Sequence, residues 1–363
     1  MAGHSSPPIL FTPFTVRGVT LKNRIGVSPM CQYSSTDGLP TPWHMAHLGS
    51  RAAGGAGLVF VEATAVAPEG RISPGDMGLW SDAHARALAP VAEAVRLLGA
   101  VPAIQLAHAG RKASCLPPWA GGARIADPGA GGWTVQAPCP LPFNESDPLP
   151  APLDLSGIAA VKRAFVDAAR RAVDAGFEII ELHAAHGYLM HQFLSPLSNV
   201  RADAYGGSLE NRMRLALETA RAIREAIPDS MPLFTRVSAT DWVENGWDLE
   251  QTVVLSGKLR EAGVDVVDVS TGGLVPYAKI PVGPGFQVPF ARAVRERAGV
   301  PTCAVGLITE AAQAEEVLAS DAADIVLLGR EMLREPYWAI KAAQALGVEP
   351  DWPVQYGYAV KRR

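Results

Sequence analysis

The sequence predicts an α/β protein folded as a single (β/α)8 TIM barrel. Three observations point there. A short apolar run, often β-branched, recurs eight times along the chain. Each run leads into a turn rich in polar side chains. A helix-length amphipathic stretch then follows before the next run. Strands covered on both faces read as continuous apolar segments, and eight strand–helix units suffice to close a barrel. A doubly wound sheet would instead need a Gly-x-Gly-x-x-Gly turn directly after a strand. The nearest candidate, Gly54-Gly55-Ala56-Gly57, precedes its strand and has the wrong spacing.

The expected strands are residues 25–30, 58–62, 103–106, 178–182, 233–237, 264–269, 302–305 and 325–328. The clearest helix is 158–175. It places Ile158, Val161, Phe165, Ala168 and Ala172 on one side, and Gly176 ends it. Two stretches exceed a minimal barrel. Residues 111–155 hold nine prolines without steady periodicity and read as a lid or capping excursion. Residues 270–288 read as an irregular loop. Both follow strands, so both belong on the face where barrels carry their sites. The tail, 349–363, reads as extended. The whole chain, 1–363, is expected to be one domain.

Composition narrows the function classes. Hydrophobic residues make up 48% of the chain, enough for a large core, and the net charge is −4, which excludes the basic face of a nucleic-acid binder. The four cysteines form no Cys-x-x-Cys pair, so neither a zinc ribbon nor an iron–sulfur cluster is expected. There is no charged-then-apolar leader and no apolar run near the ~20 residues of a membrane span. A cytoplasmic protein with reduced thiols and no membrane partner is the expectation.

The chemistry collects at the strand ends. These are Ser28-Pro29-Met30-Cys31 with Tyr33, then Glu62-Ala63-Thr64, Gln105 and His108. Further along come His183-Ala184-Ala185-His186-Gly187-Tyr188, Arg236, Gly306, and Gly329-Arg330. In a barrel these converge on one mouth. Three readings of His183 and His186 stand side by side: satisfied histidines at a helix start, a metal pair, or two N–H donors aimed at one substrate oxygen. Tyr188 is placed to supply a proton, since a phenol with pKa ~10 stays protonated at neutral pH. Gly306 and Gly329-Arg330 follow strands seven and eight, the usual phosphate site of such barrels. Arg236, inside an apolar strand, must face an anion or form a salt bridge beneath the mouth. Cys31 is either a core thiol or a weak S–H donor at the site.

With these residues assembled, the chain resembles the Old Yellow Enzyme family of FMN-dependent ene-reductases over nearly its whole length. The most specific marker is the block Phe193-Leu194-Ser195-Pro196-Leu197-Ser198-Asn199-Val200-Arg201-Ala202-Asp203-Ala204-Tyr205-Gly206-Gly207-Ser208, continuing to Asn211-Arg212. Ser28-Pro29-Met30-Cys31 with Tyr33, and Ala107-His108-Ala109-Gly110-Arg111-Lys112, resemble its thermophilic-like subgroup, the YqjM and xenobiotic reductase A types.

The resemblance implies that Ser28, Pro29, Met30, Cys31, Ala63, Gln105, Arg236, Gly306, Gly329 and Arg330 bind FMN. It implies that Cys31 tunes the flavin, that His183 and His186 hold the activating group of a small-molecule substrate, and that Tyr33 contacts it from the other side. Tyr188 then protonates the α-carbon. NADPH or NADH is the implied reductant, an electron-poor alkene the acceptor, ping-pong the order, and a homodimer or homotetramer the assembly. Two positions depart from the pattern. Relatives carry an arginine near the C-terminus that reaches the partner subunit's site. This chain reads Gln355-Tyr356-Gly357-Tyr358, which puts Tyr358 there as the candidate substrate contact. Val305 stands where xenobiotic reductase A types carry tryptophan. The alternative reading is a barrel lyase or aldolase acting on a phosphorylated small molecule, which would want a strand-end lysine or a metal cluster.

Overall fold

A computed structural model describes residues 7–360. It opens with an antiparallel hairpin, β1 (Phe14–Val16) and β2 (Val19–Leu21). The barrel strands follow: β3 (Ile25–Val27), β4 (Leu58–Ala65) and β5 (Val101–Ala107). A short parallel pair, β6 (Gln136–Ala137) and β7 (Ala151–Pro152), interrupts them. The barrel resumes with β8 (Ile179–Ala184), β9 (Leu233–Ser238), β10 (Val266–Ser270), β11 (Thr302–Ala304) and β12 (Ile325–Leu328). The eight barrel strands are all parallel, and β12 pairs with β3 to close the ring. The helices are α1 (Pro42–Ala53), α2 (Asp82–Leu97), α3 (Leu155–Asp174), α4 (Leu189–Leu194), α5 (Leu209–Ala226), α6 (Leu249–Glu261), α7 (Val288–Ala298), α8 (Ala311–Ala319), α9 (Arg330–Arg334) and α10 (Trp338–Ala345).

The period of two along each strand sorts the core into two clusters. Val59, Val61, Ile104, Ile180, Leu182, Val267, Val269, Val326 and Leu328 point outward into the helix layer. Leu58, Phe60, Ala103, Ile179, Phe234, Val266, Cys303 and Leu327 point inward, and the hairpin plugs the bottom with Val19 and Leu21. Gly26 suits the seam, because a Cβ there would lie 2.4 Å from the end of the Leu327 side chain and force it to move. Helix α3 buries Ile158, Val161, Phe165, Ala168 and Ala172 as its periodicity predicts, and Asp154 caps it by accepting from Gly157 N.

The barrel expected from sequence is the fold found, with differences at its edges. Strand β3 ends at Val27, not Met30, because Pro29 has no N–H to continue the ladder. Strand β4 runs on to Ala65 across a register shift between Val61 and Ala63. The expected extended tail instead makes a 3-10 turn at Val354–Tyr356; residues 361–363 of that tail lie outside the described residues. The N-terminal hairpin was not anticipated. Leu21 is fully buried in the barrel floor, so Leu21→Ala is expected to lower the unfolding free energy by about 2–5 kcal/mol in urea titration. A loss well under about 1 kcal/mol would show that the hairpin contributes no packing.

Candidate active site

Two cavities open at the C-terminal ends of the strands. The first, about 360 Å³, is lined by Ser28, Pro29, Met30, His186, Arg236, Gly306, Gly329 and Arg330, together with Ser270, Gln287 and Val305. The second, about 550 Å³, is lined by Tyr33, Tyr188 and Lys112 and by Leu116, Arg124, Phe143 and Asp147 of the 111–155 excursion. The excursion therefore walls the second cavity.

The turn after β8 stands between them. His186 Nδ1 lies 3.4 Å from His183 Nε2, and the His183 and Tyr188 rings meet edge to face at 5.0 Å. His186 holds a left-handed backbone, φ 58°, which turns its ring back over the strand end. Gly187 follows because a Cβ there would come within 2.2 Å of Gly273 O in the loop after β10. Lys112 ties the two loops together, donating from Nζ to His186 O (2.9 Å) and Gly273 O (2.8 Å). Burial, then the neighbouring Arg111, lowers its pKa to about 8.

The electrostatics favour neutral imidazoles. Ala185 N donates to His183 Nδ1, which leaves that ring's proton on Nε2. Desolvation first, and then the charge of Arg236, holds both histidines well below the usual imidazole range. Desolvation pushes the Tyr188 phenol well up, with Cys31 and Tyr33 adding to it, so Tyr188 keeps its proton. The Cys31 thiol is likewise pushed up, by burial, then by Asp76 and Glu62, and stays a thiol. Among the described residues no group of three His, Cys, Asp or Glu is arranged to hold a metal ion.

Arg236 makes the salt bridge that was one reading of it, and it also faces the cavity. It lines the first cavity, donates from Nη1 to Ser28 Oγ (3.1 Å), and has Nε 3.0 Å from Asp268 Oδ2. Arg330 is exposed at the same cavity and, among the described residues, makes no ion pair. Gln105 sits deeper, donating from Nε2 to Glu181 Oε1 (2.8 Å), and Ala63 is its ladder partner. Neither they nor Cys31 line either cavity. Tyr358 lines neither and is 94% exposed. Glu62, at the register shift within β4, bonds to His44 Nε2 (2.9 Å) and accepts from Gln32 N, fixing the loop that carries Cys31 and Tyr33.

Sequence reasoning passed over Ser270, Gln287 and Lys112. Ser270 bonds to His186 Nε2 (2.8 Å), and Gln287 donates to Val305 O. Ser270 was findable as the last residue of β10; Gln287 carried no local signal. The diagnostic block 193–212 lies beside the site and acts as its scaffold. Ser195 Oγ donates to Asp241 Oδ2 (2.6 Å), Asn199 Nδ2 to the carbonyls of Phe193 and Tyr205, and Arg212 to Leu194 O. The fully buried His191–Asp241 pair (2.9 Å) joins that scaffold to the turn, since Gly187 N donates to His191 Nδ1.

The closed parallel barrel, with arginines lining a cavity after its last two strands and a His-His-Tyr turn beside it, is shared with one class of proteins, the flavin oxidoreductases. The chain belongs to the NADH:flavin oxidoreductase / NADH oxidase family, whose profile matches residues 9–349. It is 50% identical over 350 residues to an NADPH dehydrogenase of Geobacillus thermodenitrificans, covering 96% of this chain and 97% of that protein. The NADPH dehydrogenase of Bacillus subtilis is 46% identical over 349 residues, covering 96% of this chain and 98% of that protein. Among solved structures, morphinone reductase superposes with a TM-score of 0.78 at 28% identity, covering 96% of this chain and 92% of that one. No helix among the described residues is long and apolar enough to cross a membrane.

Because both imidazoles are held neutral, the NMR resonances of His183 and His186 should not titrate between pH 8 and pH 5.5. A titration of either near its unperturbed pKa of ~6.5 would contradict the neutral, paired arrangement.

Proposed function

We propose that the chain is an FMN-dependent NADPH dehydrogenase that reduces electron-poor alkenes such as α,β-unsaturated ketones. The observation that carries this reading is the convergence of His183 Nε2 and His186 Nδ1 beside Tyr188, at the border of a cavity floored by Arg236 and rimmed by Arg330. The residues present fit a flavin mononucleotide. Among the described residues Arg330 has no anionic partner, and Gly306, at φ 126°, belongs to a backbone that no β-carbon-bearing residue would readily adopt. Arg330 and the Gly306 and Gly329 backbones would hold the phosphate, and Arg236 would face the ring edge that gains negative charge. Bound FMN supplies the two-electron chemistry, accepting hydride from a nicotinamide and giving it to an alkene.

The remaining work falls to the chain's own groups. Ser270 Oγ lies 2.8 Å from His186 Nε2 and 3.3 Å from Gln287 Oε1; with its hydroxyl turned to the nearer imidazole, the His186 proton sits on Nδ1, and two neutral N–H donors point into the same space. That space suits one carbonyl oxygen, whose developing negative charge the donors stabilise without carrying charge of their own. Tyr188, kept protonated by its surroundings, delivers a proton to the α-carbon. Tyr33, which lines the second cavity with Tyr188, positions the substrate. The lyase reading wants a free amine in the site, and Lys112 Nζ, the one lysine lining either cavity, is committed to two carbonyls.

The protein loaded with FMN should oxidise NADPH with 2-cyclohexenone as acceptor. In stopped flow, Tyr188→Phe should slow the alkene half-reaction by about 10²–10⁴-fold while flavin reduction stays near the wild-type rate. Equal losses in both half-reactions would remove the proton-donor role. Assembly as a homodimer or homotetramer would cover the exposed Val354, Tyr356 and Tyr358. Sedimentation should give two or four chains per particle, and a monomer at micromolar concentration would exclude Tyr358 from any neighbour's site.

A further inference from the structure

One layer below the histidines, the barrel interior is polar. Glu181 lies two residues before His183 on β8, and Asp268 two residues before Ser270 on β10, so both point inward. Both are fully buried. The ladder sets Gln105 beside Glu181 and Arg236 beside Asp268. Phe60 and Phe234 lie in the apolar cluster of the barrel interior, and Cys303, paired with Asp268 in the ladder, adds a thiol.

The polar atoms of this layer do not balance as two carboxylates. Gln105 Nε2 satisfies Glu181 Oε1, but no group donates a hydrogen bond to Glu181 Oε2 or to either oxygen of Asp268. The two carboxyl groups instead face each other inside the barrel, from β8 and β10 on either side of β9. Arg236 is the one cation facing them among the described residues, 3.0 Å from Asp268 Oδ2. His183 above is held neutral. Two ionised carboxylates against one guanidinium would leave an uncompensated buried charge, which costs several kcal/mol after relaxation. A single proton between them supplies the missing donor and reduces the layer to one cation and one anion.

We propose that Glu181 and Asp268 share one proton and act together as the positioning pair that holds Arg236, with a single counter-charge, at the floor of the cofactor cavity. Burial, followed by the facing carboxylate, raises the Glu181 carboxyl well above its usual range; burial also raises Asp268, to about 6, but Arg236, 3.0 Å away, opposes that rise and favours its ionised form. Glu181 therefore carries the proton and Asp268 the charge. The consequence for the flavin rests on the function proposed above; the shared proton does not. With one counter-charge present, Arg236 offers the cofactor ring a partly neutralised cation, and the pair sets how strongly an anionic reduced ring is favoured.

The direct test is infrared spectroscopy of the full-length protein as purified, with or without bound flavin. At pH 7 the wild type should show a carboxylic-acid carbonyl band that moves in D2O and on labelling with 13C-carboxyl glutamate. The band should vanish in E181Q. A second buried acid, Asp76, whose pKa is raised to about 7 by burial, does not respond to glutamate labelling. Absence of a glutamate-sensitive acid band overturns the proposal, and the labelled wild type gives that answer even if the variant does not fold. In the flavin-loaded protein, E181Q should leave the midpoint potential unchanged because it mimics the protonated acid. The double variant E181Q/D268N should raise it by leaving Arg236 uncompensated. A potential raised by E181Q alone would mean that both carboxyls are ionised in the wild type, and would overturn the shared proton.

Discussion

Pairing of β12 with β3 closes the barrel, and the geometry of the mouth follows from that closure. Val326, Leu327 and Leu328 sit in register with Ile25, Gly26 and Val27. The next residues on each strand, Gly329 and Ser28, therefore emerge side by side at the same rim. All eight strands being parallel, every C-terminal end arrives there as well. Glycine at residue 26 suits that closure, since a β-carbon there would make the Leu327 side chain shift.

The interior changes character along the barrel axis. The floor is apolar and sealed by the N-terminal hairpin. Above it lies the Gln105, Glu181, Arg236 and Asp268 layer, and above that the histidine turn. A polar layer at that depth adds no net folding energy beyond what a packed apolar layer would give. Its placement directly beneath the cavity ties it to the charge of the site. The turn itself is held from outside by Lys112, by the close approach of Gly187 to Gly273, and by the His191–Asp241 scaffold. The site is thus built on rigid elements, with the excursion 111–155 supplying one wall of its second cavity.

Much of this was legible in the sequence, for physical reasons that can be named. Continuous apolar runs reveal strands covered on both faces, and the change to helical periodicity reveals the crossovers, so the barrel could be read directly. The residues at run ends could be read as a mouth, which is why Ser28, His186, Arg236, Gly306, Gly329 and Arg330 come together as expected. The hairpin was not legible, because Phe14–Leu21 is too short for a periodic signal. Register was not legible either. That Asp268 neutralises Arg236, and that Gln105 turns to Glu181 beside it, depends on ladder alignment between strands far apart in the chain. The block 193–212 was visible as a signature but not as a scaffold, since its partners Asp241 and Gln251 come from other segments. Tyr358 follows no strand, and within one chain it stays at the surface.

The account's central claim is that the cavity between Arg236 and Arg330 holds a flavin mononucleotide against the histidine turn. Titrating cofactor-free protein with FMN, followed by quenching of flavin fluorescence, tests it most directly. The account predicts saturable binding of one FMN per chain, weakened about tenfold or more in Arg330→Met through loss of a charge-assisted phosphate contact. No saturable binding, or binding indifferent to Arg330, would contradict it.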